Sequence, residues 1–353
     1  MNIKLKELLS LAVANKASDI HLLVGTHPKL RIDGELTNIG NFDISDDKLM
    51  NELIRSIMTE SQFERLVREK ELDFSLAAVE ARFRVNAYYQ RGSLACSLRV
   101  VSSEIPSFEK LNLPMFFRNF IDMKQGFVLM TGPTGHGKST SVAAILNEIN
   151  HQKNCHIVTI EDPIEYLIKP DKATISQREV GSDTSSFEAA LKSCLRQDPN
   201  VVFAGEMRDL ESISSALTIA ETGHLVFSTL HTNSAAQSMD RIIDVFPEGS
   251  KDQIRVQLAS VISAVVSERL IPGIDGGRIP AFEILVATPA VRNIVRESKN
   301  FMIDNIIQTG SDLGMVTLEQ SLAILVKTGK VTEEVAMSYS LRPDELQTRL
   351  RKS

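Results

Sequence analysis

Cysteine is scarce in this 353-residue chain, and tryptophan is absent. The three cysteines, Cys96, Cys155 and Cys194, are odd in number and widely spaced. This spacing excludes a C-x-x-C zinc site and argues against a disulfide framework. We therefore expect reduced thiols and a cytoplasmic protein.

Long apolar runs and an excess of basic charge are also missing. The apolar residues of Met1–Leu11 are interrupted every few positions, so this segment resembles neither a secretory signal nor a membrane span. The formal net charge of −6 gives the chain no overall positive field for binding nucleic acid or anionic lipid. We therefore expect no nucleic-acid partner and no direct insertion into a membrane.

What the sequence does contain is a glycine-rich loop between an apolar segment and a helical pattern. Phe127–Thr131 is apolar and leads into G-x-x-x-x-G-K-S, and Ser139–Ile149 follows with helical periodicity. Such a loop turns successive backbone N–H groups towards phosphates, whereas an ordinary glycine-rich turn needs neither flanking element. The residues predicted to contact a nucleotide are Gly132, Pro133, Thr134, Gly135, His136, Gly137, Lys138, Ser139 and Thr140.

Two residues of this loop have predicted chemical roles. Lys138 would reach the β- and γ-phosphates of ATP, and the Ser139 hydroxyl would ligate Mg²⁺. The predicted cofactors are therefore ATP and Mg²⁺.

The sequence pattern changes along the chain. We predict an N-terminal α+β domain at 1–104, a linker at 105–125, an α/β core at 126–288 and a helical region at 289–353. In the first domain, Ile44–Val67 is predicted to be helical. The predicted strands are Leu72–Leu76, Ala81–Tyr89, Leu94–Val101, Phe127–Thr131, Ile157–Glu161, Val201–Ala204 and Leu225–Thr229.

Acidic residues follow two of the predicted core strands. Glu161 and Glu165 flank a proline after one strand, and Glu206 follows Val201–Ala204. The carboxyl ends of parallel strands meet at one edge of a sheet, so these acids should lie near the phosphates, as magnesium ligands or as groups that position water. Gly205 stands where a Walker B segment usually has aspartate, which favours Glu206 as the catalytic acid or the ligand of a magnesium-bound water. The alternative is that these acids are solvated.

Two histidines bracket the last predicted core strand. His231 follows the strand at the same edge as Glu206, where it could hydrogen-bond the γ-phosphate and report its presence. His224 precedes the strand and is a second candidate. The alternative for either histidine is a purely structural role.

The first domain contributes arginines. Arg82 and Arg84 alternate with apolar residues on one strand, and Arg99 lies on a neighbouring strand. Such a row is usually a solvated surface. Alternatively, these arginines reach the γ-phosphate bound to another subunit, so that hydrolysis depends on assembly.

Together these motifs resemble those of the bacterial type IV pilus retraction ATPases, the PilT/PilU family within the secretion ATPases. The similarity includes the arginine strand, the Walker A loop, the acidic segment Glu161–Glu165 and the segment Gly205–Asp209. It continues through the histidine-containing segment Thr222–Thr232 and through Ala290–Glu297, which resembles the helix that this family needs for retraction.

The resemblance implies a PAS-like first domain and a RecA-like core, assembled as a homohexamer. It implies that Glu206 is the main catalytic acid, that Glu161 and Glu165 support it, and that arginines of the first domain complete the site. It also implies a Mg²⁺-dependent ATPase motor that depolymerises and retracts a type IV pilus for twitching motility. The motor would act in the cytoplasm, docked on the pilus platform protein of the inner membrane.

Several alternatives share this motif set. A PilU-like accessory retraction ATPase acting beside a paralogous pilus ATPase is one of them. Extension and secretion ATPases of the PilB/GspE type usually have a four-cysteine zinc insertion, but no cysteine follows Cys194. A nucleotide sensor that does no mechanical work belongs to a different class, and the presence of Glu206, Glu161 and His231 together argues against it.

Overall fold

The computed structural model describes residues 1–32, 34–39, 43–101 and 104–351. The chain forms two compact units: Met1–Glu104 with Pro163–Leu167, and Ile105–Asp162 with Ile168–Ser353. Within the described ranges, no helix is both long and apolar enough to cross a membrane. The finer predicted boundaries after residues 125 and 288 remain predictions.

The first unit is an antiparallel sheet with helices, as the pattern predicts. The strand order is β3-β2-β1-β6-β5-β4. Phe83 and Val85 of β5 are fully buried, whereas Arg84 between them is exposed, so the apolar face of the strand packs on the core of this unit. The elements are α1 Ile3–Ala14, β1 Asp19–Leu23, β2 Lys29–Ile32, β3 Glu35–Asn38, α2 Asp47–Arg55, α3 Glu60–Glu69, β4 Glu71–Ala78, β5 Ala81–Gln90 and β6 Ser93–Val101.

The single helix predicted over Ile44–Val67 is wrong, because the structure has two helices there. Thr59 begins α3 with a capping box: its hydroxyl accepts the Gln62 backbone N–H (3.3 Å), and the Gln62 side chain accepts the Thr59 backbone N–H (2.9 Å). These bonds satisfy backbone donors at a new helix start, which favours a break over a continuous helix. The short strand β1 and the fully exposed strand β3 were also absent from the predicted strands, since neither has a clear alternating pattern.

The second unit is built on a largely parallel sheet with the order β13-β12-β7-β11-β10-β8-β9. All neighbours from β12 to β9 are parallel, and β13 pairs antiparallel with β12. The elements are α4 Arg118–Asp122, β7 Gly126–Thr131, α5 Lys138–Gln152, β8 His156–Glu161, β9 Thr174–Glu179, α6 Phe187–Cys194, β10 Val201–Ala204, α7 Leu210–Glu221, β11 Leu225–Leu230, α8 Ala235–Asp244, α9 Lys251–Val261, β12 Ile262–Pro272, β13 Arg278–Val286, α10 Pro289–Arg296, α11 Ile303–Thr309, α12 Leu318–Lys327, α13 Glu333–Tyr339 and α14 Pro343–Arg351.

Apolar clusters cover both faces of this sheet. Strands β7, β10 and β11 are buried along their whole length, as expected for parallel strands between two layers of helices. The sequence predicted these strands and β8, but not β9, β12 and β13. The polar strand β9 does not alternate clearly, and β12 continues without a break from the end of α9, so neither has a strong strand signal. The region predicted to be helical, 289–353, contains α10 to α14, and residues 352 and 353 lie outside the described ranges.

Candidate nucleotide site

The loop between β7 and α5 has the backbone shape of a phosphate-binding loop. We call residues 132–138 the phosphate loop. Gly132 has φ +137°, and a Cβ there would stand 2.2 Å from the Glu268 carbonyl oxygen, so only glycine fits. Gly137 has φ +93° and is the N-cap of α5, so the helix begins at the loop, where helix N–H groups can bind phosphate.

Lys138 is buried at the start of α5, and its ammonium group turns back into the phosphate loop. Nζ donates to the carbonyl oxygens of Gly132 (2.8 Å) and Pro133 (2.9 Å) and lies 3.4 Å from His231 Nδ1. Its charge is therefore centred on the loop, where phosphate oxygens would bind. Ser139 and Thr140 follow in the first turn of α5.

His231 connects the phosphate loop with Glu206. Its Nδ1 lies 3.2 Å from Thr134 Oγ1, and its Nε2 lies 3.1 Å from Glu206 Oε1. The Lys138 ammonium can only donate and an ionised Glu206 can only accept, so the neutral ring accepts at Nδ1 and donates from Nε2. The strand ends of β7, β10 and β11 thus converge, and the structure brings Thr134, Lys138, Glu206 and His231 together.

Arg208, which was not among the predicted site residues, favours the ionised form of Glu206. Arg208 binds both carboxylate oxygens, with Nε 2.7 Å from Oε1 and Nη2 2.8 Å from Oε2. Partial burial opposes ionisation, but Arg208 and His231 together keep the pKa of the Glu206 carboxyl below its ordinary value. The only sequence signal for Arg208 is its position two residues after the acid.

Glu161 is the last residue of β8 and Glu165 follows the strand, and the surroundings of the two side chains differ. Glu161 is buried, and its Oε1 accepts hydrogen bonds from Thr159 Oγ1 (2.6 Å) and Gln177 Nε2 (3.3 Å). Exposed Glu165 belongs to Pro163–Leu167, which is part of the first compact unit. The catalytic roles of both residues remain predictions.

Gly205 occupies a crowded position between β10 and β8. A Cβ there would stand 3.1 Å from the Ile160 carbonyl oxygen and 3.3 Å from Glu161 Cα, which is closer than ordinary van der Waals contact. The Gly205 N–H also donates to the Ile160 carbonyl oxygen at 2.8 Å. This close approach gives a physical reason for glycine where a Walker B segment usually has aspartate.

The hairpin of β12 and β13, which was not among the predicted strands, forms one side of the phosphate loop. Ser141 Oγ donates to Glu268 Oε2 (2.8 Å), the Leu270 N–H donates to His136 Nδ1 (3.0 Å), and Arg278 Nη1 donates to the Gly135 carbonyl oxygen (2.9 Å). Burial raises the pKa of Glu268 to about 7, although Ser141 and Lys138 favour its ionised form. Burial, followed by the charges of Arg269, Arg278 and Lys138, lowers the pKa of His136.

His224 lies at the amino-terminal end of β11, away from the phosphate loop. Its Nδ1 lies 3.0 Å from Thr222 Oγ1 and 3.1 Å from the Ile219 carbonyl oxygen, at the end of α7. The structure therefore does not bring His224 to Glu206 within this chain.

The predicted arginines lie on the sheet of the first unit. Arg84 and Arg99 stand directly opposite each other on β5 and β6, and Arg82 shares their face of the sheet. Arg99 Nε donates to Asp19 Oδ1 at 2.8 Å, yet its side chain remains 68% exposed. Two guanidinium groups at opposing positions repel each other, and Asp19 offsets part of that repulsion.

The oxygen donors of this site fit magnesium better than a softer metal. In the described part of the chain, no group of three or more histidine, cysteine or acidic side chains could hold a metal ion by itself. Mg²⁺ keeps several waters and takes only one or two protein ligands beside substrate phosphates. The Ser139 hydroxyl and the Glu206 carboxylate are donors of the kind that this coordination requires.

Comparisons with known proteins show the family to which this chain belongs. The family model of type II/IV secretion system proteins matches residues 1–336. The type IV pilus retraction ATPase PilT of Pseudomonas aeruginosa is 44% identical over 339 residues, which are 96% of this chain and 98% of the relative. A twitching motility protein of Neisseria gonorrhoeae is 45% identical over 88% of this chain and 83% of its own length.

A solved structure supports the same assignment of the fold. The structure of the pilus retraction motor PilT with bound ADP superposes with a TM-score of 0.91 at 44% identity, covering 98% of this chain and all of the other. The predicted α/β fold class is thereby confirmed.

Proposed function

We propose that this chain, a member of the family of type II/IV secretion system proteins, is an ATPase motor. The motor powers retraction of a type IV pilus. The observation that carries the proposal is the hydrogen-bonded connection from the phosphate loop through His231 to Glu206. It joins a nucleotide-binding element to an ionised acid, which is the arrangement that phosphoryl transfer to water needs. The retraction activity follows the PilT relatives and the twitching motility protein.

Nucleotide binding rests on the start of α5. The N–H groups after Gly137 and the ammonium group of Lys138 provide positive charge for the phosphates, and Lys138 can exchange its two carbonyl contacts for phosphate oxygens. Ser139 and Glu206 would hold Mg²⁺, directly or through water. When bound, the ion would neutralise charge on the phosphates.

Hydrolysis rests on Glu206. Its ionised carboxylate accepts hydrogen bonds from Arg208 and His231, so it can also orient a water molecule and take up its proton. His231 contacts both Thr134 of the phosphate loop and Glu206, and its hydrogen bonds would rearrange when a γ-phosphate enters. His231 can therefore act as the γ-phosphate sensor.

Assembly would complete the motor. We expect a homohexamer in which Arg82, Arg84 or Arg99 of one copy stabilises the transition state in a neighbouring copy. We also expect the ring to dock on the pilus platform protein at the cytoplasmic face of the inner membrane. A paralogous pilus ATPase is a second candidate partner. The acidic net charge agrees with a partner that is not nucleic acid.

The first test is the steady-state ATPase rate per subunit against protein concentration, with the molar mass measured in parallel by light scattering. We expect the rate to rise as a hexamer forms, and the Lys138→Ala variant to be inactive at every concentration. A constant rate from a monomer would contradict the ring motor. Tight ATP binding without turnover would instead support the nucleotide sensor.

A further inference from the structure

Glu268 of strand β12 packs against the phosphate loop. Its carbonyl oxygen excludes any side chain at position 132, and its Oε1 lies 2.6 Å from the place where a Cβ at position 137 would stand. Its Oε2 accepts the hydrogen bond from Ser141 Oγ. Glu268 therefore contacts both ends of the loop and the first turn of α5, and it is only 2% exposed.

A negative charge on the Glu268 carboxyl group would weaken the binding of phosphates to the loop. When ionised, it adds a buried negative charge beside the place where phosphates would bind. The charged group that favours its ionised form is Lys138. Burial, followed by the charges of Arg269 and Arg278, lowers the pKa of His136, whose Nδ1 accepts the Leu270 N–H.

A bound nucleotide changes this balance. Its phosphates share the Lys138 charge that otherwise favours an ionised Glu268, and they repel a second negative charge nearby. Both effects favour the neutral carboxyl group. Burial raises the pKa of Glu268 to about 7. The carboxyl group can therefore take up a proton from solvent within the physiological pH range.

We propose that Glu268 is a positioning residue that takes up a proton from solvent when nucleotide phosphates enter the loop. The proposal rests on the nucleotide binding proposed above and extends it, because it makes affinity depend on pH. Binding is favoured at low pH, where Glu268 is neutral, and weakens as pH rises through the pKa of the free protein. No covalent bond forms or breaks, and the proton remains on the carboxyl group while nucleotide is bound.

The test is calorimetric titration of the full chain with ADP and fixed Mg²⁺, between about pH 6 and about pH 8.5, in buffers of different ionisation enthalpy. If binding raises the pKa of Glu268 by about one unit, affinity falls about fivefold from pH 6 to pH 8, with uptake of about half a proton near pH 7.5. The ADP phosphate also titrates near this range, so the readout is the difference between wild type and Glu268→Gln. We expect the variant to lose that contribution and to retain tight binding at high pH.

Two further variants keep the test decisive if Glu268→Gln folds poorly. Ser141→Ala removes the hydrogen bond that favours ionisation, so it should move the pH midpoint upwards without abolishing it. Glu283→Gln is the matched control, because Glu283 is also buried with its pKa raised to about 7 by burial, but its carboxylate accepts the Ala235 N–H at the start of α8. It should retain the wild-type proton uptake.

The outcomes separate this inference from the proposed function. A wild type that binds ADP with the same proton uptake as Glu268→Gln would overturn the role of Glu268 and leave nucleotide binding intact. Equal losses in Glu283→Gln and Glu268→Gln would also overturn it, since the effect would then belong to buried carboxyl groups in general. A wild type that binds no ADP at about pH 6 would contradict the proposed function itself.

Discussion

At the scale of single residues, the site depends on which groups can donate and which can accept. Lys138 donates to two carbonyl oxygens and lies near His231 Nδ1, and Glu206 accepts from Arg208 and from His231. Because the donors and acceptors alternate, one neutral form of His231 satisfies both of its neighbours. His231 therefore links the hydrogen bonds of the phosphate loop to those of Glu206.

Replacing Glu206 with glutamine should separate binding from hydrolysis. The amide keeps the size of the side chain, but it can neither accept a proton from water nor carry the negative charge that faces Arg208 and His231. We expect Glu206→Gln to retain nucleotide affinity and to lose at least about 100-fold in turnover. The measurement is a steady-state rate with a parallel binding titration.

Glu211→Gln is the matched control for this substitution. Glu211 is exposed in the first turn of α7, close in sequence to Glu206 but without a predicted role. It should show wild-type turnover. Full activity of the Glu206→Gln variant would refute the assignment of the catalytic acid.

Some site residues could be predicted from the sequence, and others could not. The loop glycines, Lys138, Glu206 and His231 lie next to strong strand patterns, so their convergence follows from the rule for parallel strands. Glu268 and Arg278 come from an antiparallel hairpin whose strands had no clear signal. Their contacts with the loop depend on sheet order, which no local pattern encodes.

At the scale of elements, helix α10 has one buried face and one exposed face. Val291, Ile294 and Val295 pack into the core, while Arg292 donates to the carbonyl oxygens of Ala259 and Ser260 near the end of α9. The exposed residues Asn293 and Arg296 bond to each other at 2.9 Å. The exposed face is therefore the part of this helix that is available for a role in retraction.

Changes on the exposed face of α10 should uncouple hydrolysis from retraction. We expect Asn293→Ala and Arg296→Ala to keep the ATPase rate within about twofold, because neither residue contacts the core. We expect both to abolish pilus retraction in cells that lack their own retraction ATPase. The measurements are the ATPase rate and twitching motility.

Val295→Ala controls for a structural effect of α10. Its side chain is fully buried, so the substitution should lower the free energy of unfolding by about 2 kcal/mol and reduce hydrolysis and retraction together. If Asn293→Ala or Arg296→Ala behaved in the same way, α10 would have a folding role instead.

At the scale of the whole molecule, activity should depend on contacts between copies. One face of strands β5 and β6 carries Arg82, Arg84 and Arg99, and we call it the arginine face. Asp19 pairs with Arg99 there, but the Arg99 side chain is still largely exposed. Such a row is usually a solvated surface, but it can also bind the anionic group of a ligand or of another chain. The predicted use is stabilisation of the phosphates bound to a neighbouring copy.

Mixed rings test this use directly. We expect Arg82→Ala and Arg99→Ala to lower the turnover of the assembled ring with little loss of ATP affinity, because an arginine finger acts in the transition state. Mixing Arg99→Ala with Glu206→Gln subunits should restore part of the activity. In such rings, a Glu206→Gln copy supplies Arg99 to a neighbour that has an intact Glu206.

Arg91→Ala is the control, because Arg91 is exposed in the turn between β5 and β6 and not on the arginine face. It should leave turnover unchanged. Mixed rings that form but remain inactive, or an Arg99→Ala variant with full activity, would show that these arginines are an ordinary surface.

The sequence by itself determined the phosphate loop, the core strands β7, β8, β10 and β11, and the family of this protein. These features depend on local patterns: glycines that permit positive φ, apolar runs buried on both faces, and polar residues at strand ends. The tertiary structure alone decided that Gly205 packs against β8 and that Glu268 supports the phosphate loop. Each of these depends on which segments become neighbours, and distances between neighbours are set by packing across the sheet and not by the order of residues along the chain.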